Sequence, residues 1–572
     1  MKRYLIAILF TAVLPSLHAQ ELRSIGRERT GTEIIPYSSA ADRAASPYFQ
    51  SLAGEWKVKM LDDTSQFTRA ISDAGGWTSI TLPGEARTAA PVVLFQRQYK
   101  LPFAWVDRLV MIHLQGIGDP YDIYVGDKKI GSNSSPQTGA DFDVTKISME
   151  GNNTLTLVVY AGGGAMSPGA SSRPVKLQGN IYALSPPRIR IRDIAADATS
   201  GGILNLGVVL KSHLLNPKEY EVYYELYDPD GRQVTAGHKP AVFRMKQEDT
   251  VRFFANIPDV RPWSADEPNL YTLRLKTQYE GRYGEYVSLR IGFRDVTAQG
   301  GKLLVNGNPV TLRSVQVTPV GDLAVMAATL KEAKAGGANT VQLDGYPAGT
   351  DFYSLCDMIG LYVCDQAQVD ARYGMANDPA YEGLVADRVM TMYEASKNHP
   401  SVVMFSLAQG QKNGYNLYRA YIELKRREKG RPVSFTGAAG EWNSDTAAAG
   451  SFGRIVFGGV AEVKTVQPFT FTMDGANATV SNRMEVAPIK QLEYRVVSGK
   501  KTVAQGSAEA DIAPQGSATV ALPLGKLKLT SKHRVELSLP TAGTFMGAGG
   551  PLDKMVPAPV PLWYGVCSDK IQ

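Results

Sequence analysis

Three carboxylates have the type and position to do chemistry. Asp344 follows the apolar run Thr340–Leu343, Asp365 closes the run Leu361–Asp365, and Glu441 sits in Gly440-Glu441-Trp442-Asn443. Carboxyl groups at neighbouring strand ends can share general acid and base work. Aspartates at strand ends also serve as caps and turns, so position alone leaves both roles open. Trp442, beside Glu441, is an aromatic that could stack on a ligand. Cys356, Cys364 and Cys567 are too few for a disulfide framework. The first two flank a helix end and read as buried thiols. Cys567, in Leu562-Trp563-Tyr564-Gly565-Val566-Cys567, hints at an intermolecular contact. Six histidines lie scattered without metal-ligand spacing, so neither a metal site nor a cofactor is expected.

Positioning such groups takes a folded scaffold, and composition provides for one. The 572 residues are 44% hydrophobic and 20% charged, which excludes wholesale disorder, a collagen-like repeat and a coiled coil. Three to five domains are expected at roughly 100–200 residues each. The net charge of +6 is too small to imply nucleic-acid binding. Lys2 and Arg3 precede an apolar stretch from Tyr4 to Leu14, followed by Pro15-Ser16-Leu17-His18-Ala19. This reads as an export signal over 1–19, and no later run is long enough for a membrane span.

After a polar leader (20–45), short alternating runs such as Tyr121–Val125 and Thr154–Tyr160 predict strands. A second strand-rich block contains Glu219–Leu226 and the turn Asp228-Pro229-Asp230-Gly231. Near residue 302 the rhythm changes. Helices are predicted at Leu323–Lys334 (capped by Asp322), Asp351–Ile359, Tyr381–Lys397 and Tyr415–Lys429. They alternate with strands at Thr340–Leu343, Leu361–Asp365, Val402–Leu407 and Pro432–Thr436. Strands return with Arg454–Phe457, Thr470–Met473, Gln491–Val497 and Ser517–Leu522. The expected fold class is therefore multidomain β plus α/β.

Ordered motifs sharpen this. Ser51-Leu52-Ala53-Gly54-Glu55-Trp56-Lys57, Trp77-Thr78-Ser79-Ile80-Thr81-Leu82-Pro83-Gly84, Gln115-Gly116-Ile117, Asp141-Phe142-Asp143-Val144-Thr145 and Gly151-Asn152-Asn153-Thr154-Leu155 resemble the sugar-binding jelly roll of glycoside hydrolase family 2. Pro262-Trp263-Ser264-Ala265-Asp266-Glu267-Pro268-Asn269-Leu270-Tyr271 resembles the end of that family's immunoglobulin-like domain. Ile291-Gly292-Phe293-Arg294 and Leu304-Val305-Asn306-Gly307-Asn308-Pro309-Val310 resemble the start of its catalytic barrel. Glu462-Val463-Lys464 and Gln467-Pro468 resemble the sandwich after the barrel in larger β-galactosidases. The resemblance implies a jelly-roll β-sandwich (46–187), an immunoglobulin-like β-sandwich (188–300), a shortened (β/α) barrel-like domain (301–452), a C-terminal β-sandwich (453–541) and a tail (542–572).

Retaining glycosidases use two carboxyl groups about 5 Å apart, one as acid/base and one as nucleophile. By resemblance, the acid/base glutamate closes a strand reading roughly Ser-Leu-Gly-Asn-Glu. Here that stretch is Ser406-Leu407-Ala408-Gln409-Gly410, with its register fixed by His399-Pro400-Ser401-Val402-Val403-Met404-Phe405. Gly410 stands where the proton donor belongs. Gln342 and Gly345 replace an expected arginine and histidine, and Gln366-Ala367-Gln368 replaces Glu-Ala-Asn. The histidine expected after the first strand is absent around Gln316-Val317, and Asn180 takes the place of a sugar-directed aspartate. Only about twenty residues separate Arg431-Pro432-Val433 from Arg454, so the nucleophile's strand and roughly three βα units are missing against the usual 250 residues. Such a sheet would be open, to be covered by 437–452, by the tail or by a partner. Gln409, Gln366, Asn180 and Trp442 remain as ligand-binding candidates, with Asp344, Asp365 and Glu441 as weak catalytic ones.

The expectation is an exported family-2-like protein of the periplasm or cell surface, without a working catalytic pair, that binds a carbohydrate or protein partner. Two other readings stay open: an active β-galactosidase-like enzyme with relocated carboxylates, and a structural subunit of a cell-envelope assembly.

Overall fold

The computed structural model describes residues 24–567 except 40–41, 63–70, 74, 162–172, 216–217, 244–247, 300–301, 320–321, 372–373, 411, 436–444, 446–450, 457–458, 461–466, 531, 541–550 and 557–563. The expected export signal lies outside the described residues, as do Glu441 and Trp442. Among the described residues no helix is long and apolar enough to cross a membrane.

Alternating apolar residues build two sheets in the first module. The larger runs Thr78–Leu82, Gly54–Leu61, Val92–Leu101, Gly151–Tyr160, Tyr121–Val125, Lys128–Asn133. Trp56, Phe95, Ile123 and Leu157 point from it into a core shared with Ile112, Phe142 and Ala183 of the smaller sheet. Arg27–Arg29, from the segment expected to be a plain leader, is itself a strand of that smaller sheet, antiparallel to Ala140–Asp143. The second module packs three strands, Ile189–Ala198, Ile203–Ser212 and Glu248–Asn256, against four over one apolar core.

In the third module six parallel strands are labelled β1 (Ser314–Val317), β2 (Thr340–Leu343), β3 (Tyr362–Gln366), β4 (Val402–Ser406), β5 (Val433–Ser434) and β6 (Ser451–Val456). The helices α1 (Leu323–Ala335), α2 (Thr350–Ile359), α3 (Glu382–Ser396) and α4 (Tyr415–Arg427) connect the first five strands. Asp322 caps α1, its side chain accepting from Ala324 N and Val325 N. The strand order is β5-β4-β3-β2-β1-β6, extended by Gly459–Val460 antiparallel to β6. Among the described residues the sheet does not close on itself. Of the run Arg454–Phe457, expected to open the last sandwich, Arg454–Val456 instead belongs to β6 beside β1. An open parallel sheet must cover both flanks, and backbone pairing on β1 satisfies one of them.

Register sorts the sheet into two faces. Ser314, Thr340 and Tyr362 are aligned, as are Gln316, Gln342 and Cys364, then Gln366 with Ser406 and Ser434. This face is polar. The opposite residues, Val315, Val317, Val341, Leu343, Val363, Phe405 and Val433, are apolar and join Leu330, Phe352, Val385 and Leu417 of the helices in the main core. Period-2 alternation thus gives one face to the helices and leaves the other to hydrogen-bonding side chains.

The last module packs Phe469–Asp474, Asn477–Asn482 and Ser517–Ala521 against β7 (Ile489–Ser498), β8 (Lys501–Ile512), β9 (His533–Ser538) and β10 (Tyr564–Cys567). The described part of the C-terminal segment is packed rather than a loose tail. Leu552 and Val556 enter the core of the third module, and Asp553 pairs with Arg290. Cys567 lies in β10 opposite Arg534 of β9.

Candidate functional site

The C-terminal ends of β2, β3 and β4 bring several of the sequence candidates together. Gln366, 5% exposed, ends β3 on the polar face. With its amide oriented by its neighbours, it donates to Leu343 O at 3.0 Å and accepts from Gly345 N at 3.2 Å. A Cβ built on Gly345 would lie 3.8 Å from Gln409 Oε1. Gln366, Gly345 and Gln409 are therefore neighbours. Gln409 is fixed by its backbone, its N–H donating to Val369 O and its carbonyl accepting from Ala371 N, both at 2.9 Å. Gly410 follows with φ of +94°, in the left-handed region. The position lacks a side chain and also has a backbone that side-chain-bearing residues rarely adopt.

The two rim aspartates part company. Asp344 is half-buried beside Tyr346, whose hydroxyl is pushed up by burial first and by the Asp344 charge second. Asp365 faces the helices: it is fully buried, and its Oδ1 accepts from Tyr353 Oη of α2 at 2.8 Å and from Gln366 N at 2.9 Å. Burial raises its pKa to about 6, against the opposing pull of its hydrogen bonds. The physical reason is parity: Gln366 points to the polar face, so the preceding residue points away from it. Asp365 braces α2, and the Tyr353 ring lies tilted against His399 with centroids 5.1 Å apart; His399 Nδ1 in turn lies 2.6 Å from Asp357 Oδ2.

Asn180 is engaged elsewhere. Its amide donates to Asp351 Oδ2 at the start of α2 at 3.0 Å, and Asp351 also pairs with Arg43. Together with Tyr182, Ser354 and His399, these residues line a cavity of about 370 Å³ between the segment that carries Thr32, Glu33 and Arg43, the jelly roll and α2. Gln368 sends its backbone carbonyl to Arg388 Nη1 at 2.8 Å. Cys356 and Cys364 are buried, and burial holds Cys364 at about 12. Among the described residues no three His, Cys, Asp or Glu side chains converge on a metal position.

Sequence reasoning missed Asp370. It forms a parallel bridge with Gln409, and Gln409 Nε2 lies 3.5 Å from Asp370 Oδ2. Only the fold aligns the loop after β3 with the end of β4. The signal was there, an acidic residue five positions past the end of an apolar run, but it was indistinguishable from an ordinary loop aspartate.

Three family models match in consecutive order. Residues 65–167 match the sugar binding domain of glycosyl hydrolases family 2, 188–294 match the family's second model, and 296–496 match its TIM barrel domain. A β-galactosidase of Priestia megaterium is 24% identical over 484 residues, covering 73% of this chain and 47% of the relative. One from Aeromonas hydrophila is 26% identical over 442 residues, covering 72% and 42%. The chain spans about half the length of these curated relatives. Among solved structures, Bacteroides uniformis β-glucuronidase 2 superposes with a TM-score of 0.61 at 13% identity, covering 91% of this chain and 80% of that one. A family 2 member from Bacteroides cellulosilyticus gives 0.60 at 14%, covering 86% and 89%. With the jelly roll, the immunoglobulin-like sandwich and the parallel α/β module matched in sequence order, the chain belongs to glycosyl hydrolase family 2.

Proposed function

We propose that this is an exported, non-catalytic member of the family that acts by binding glycan. The carrying observation is Gly410. It occupies the acid/base position by motif alignment and holds a left-handed backbone that would resist a glutamate. Around it the amides Gln366 and Gln409 stand at the rim, with Gln342 one register row below and the carboxylates of Asp344 and Asp370 nearby. Amides donate and accept hydrogen bonds to sugar hydroxyls but supply no proton for a leaving group. The relatives' printed activity, β-galactosidase, supports a carbohydrate as the ligand class. Export rests on the N-terminal apolar stretch.

The test is direct. Purified protein is assayed on nitrophenyl β-galactoside, β-glucuronide and β-mannoside and screened on a glycan array. Binding without turnover is expected. Turnover that disappears in Asp344→Asn or Asp370→Asn overturns it. That outcome would establish the second reading, an enzyme with relocated carboxylates, which the closeness of Asp370 to Gln409 favours. A structural role in an envelope assembly would be indicated by a stable protein partner recovered in a pull-down with no glycan bound.

A further inference from the structure

The C-terminal sandwich turns one face of β7 and β9 inward: Tyr494, Val496, Val535 and Leu537 are core residues. The alternate residues face outward and form a groove of about 390 Å³ over Arg495, Val497, Thr502 and Arg534. At its end stand Lys500, in the turn between β7 and β8, and Lys532, just before β9. These strand ends are adjacent, since Ser498 pairs with both Lys501 and His533.

Four cations here face a single carboxylate, Glu536. That carboxylate is 8% exposed and already engaged twice, by Arg495 and by Arg534 Nε at 3.2 Å. Lys500 and Lys532 are exposed and have no carboxylate partner among the described residues. Gathering like charges over a groove raises the local potential for an anion. Surface ion pairs contribute too little to stability to explain the cluster. Arginine presents planar donors that fit a carboxylate or sulfate in a fork, and lysine adds point charge. Among the described residues the lining holds no Phe, Tyr or Trp on which a nucleic-acid base could stack.

We propose that this groove binds an anionic polysaccharide, one carrying uronate or sulfate groups, at a site separate from the rim of the parallel sheet. The choice of a glycan as the carrier of the charge rests on the glycan-binding reading above; the basic groove itself does not.

The full chain is tested by affinity electrophoresis with polygalacturonate and chondroitin sulfate as probes, dextran as the neutral control, and duplex DNA and phosphatidylglycerol vesicles as other polyanions. Retention by at least one acidic polysaccharide is expected, weakening as salt rises. Lys500→Glu/Lys532→Glu should weaken it at least tenfold with an unchanged melting temperature. Lys128→Glu/Lys302→Glu, the same charge change at exposed sites in other modules, should leave it intact. Equal binding by both double variants overturns the proposal. So does the absence of any acidic-polysaccharide binding, or binding to DNA or vesicles as tight as to the glycans. Hydrolysis of a neutral glycoside would overturn the non-catalytic reading and leave this groove standing.

Discussion

Arg27 Nη2 donates to both carboxylate oxygens of Asp387, at 2.5 and 2.6 Å. The pair joins the strand Arg27–Arg29 of the jelly roll to helix α3 of the parallel module across 360 residues. It is one of several such ties. Glu28 pairs with Arg190 and Lys211 of the second module, and Arg43 bridges Glu33 and Asp351. Arg27, Glu28 and Arg43 thus strap three modules together.

Replacing Arg27 by Ala should cost about 3 kcal/mol, because its side chain is 4% exposed and its loss leaves Asp387 without its cation. Chemical denaturation measures this. Arg27→Ala/Asp387→Asn should recover part of the loss; an unchanged midpoint in the single variant would refute the strap.

Acidity should stabilise the fold between pH 8 and 5. Burial raises Asp365 to about 6 and Glu285 to about 7. Glu285 is fully buried, and among the described residues only Ile191 N donates to Oε2, at 2.8 Å. A carboxyl whose folded pKa lies above its unfolded value contributes stability that is complete below the unfolded value and lost as pH rises through the folded one. Glu285→Gln should therefore gain about 2–3 kcal/mol on wild type at pH 8 and lose that advantage near pH 4, as read by melting temperature against pH.

Gly410→Glu should not create a glycosidase. The left-handed φ of +94° makes the substitution cost about 1–2 kcal/mol, and no nucleophile's strand follows β5 before β6 among the described residues. Detectable turnover of nitrophenyl β-galactoside by this variant would show that the backbone adapts and that a second acid is in reach.

Leu552→Ala should destabilise by about 2–4 kcal/mol, since its side chain is 7% exposed within the core of the parallel module. A truncation after residue 540 should lose more, because it also removes β10 from the edge of β9 and the Arg290–Asp553 pair. A truncated chain as stable as the full one would return this segment to the status of a tail.

Sequence alone determined the strand-rich blocks before residue 302 and the α/β rhythm that follows them. Hydrophobic period, caps such as Asp322 and ordered motifs are local signals that survive without coordinates. Helices α1 to α4 fall within two residues of their predicted bounds for this reason. Tertiary structure alone decided what each rim group faces. Parity sent Asp365 to the helices and Gln366 to the polar face, and a loop bridge set Asp370 beside Gln409. It also drew Asn180 to Asp351, seated β6 beside β1, and gathered Lys500 and Lys532 at one strand end. These are contacts between residues far apart in the chain, fixed by packing rather than by any neighbour in the sequence, so no local pattern encodes them.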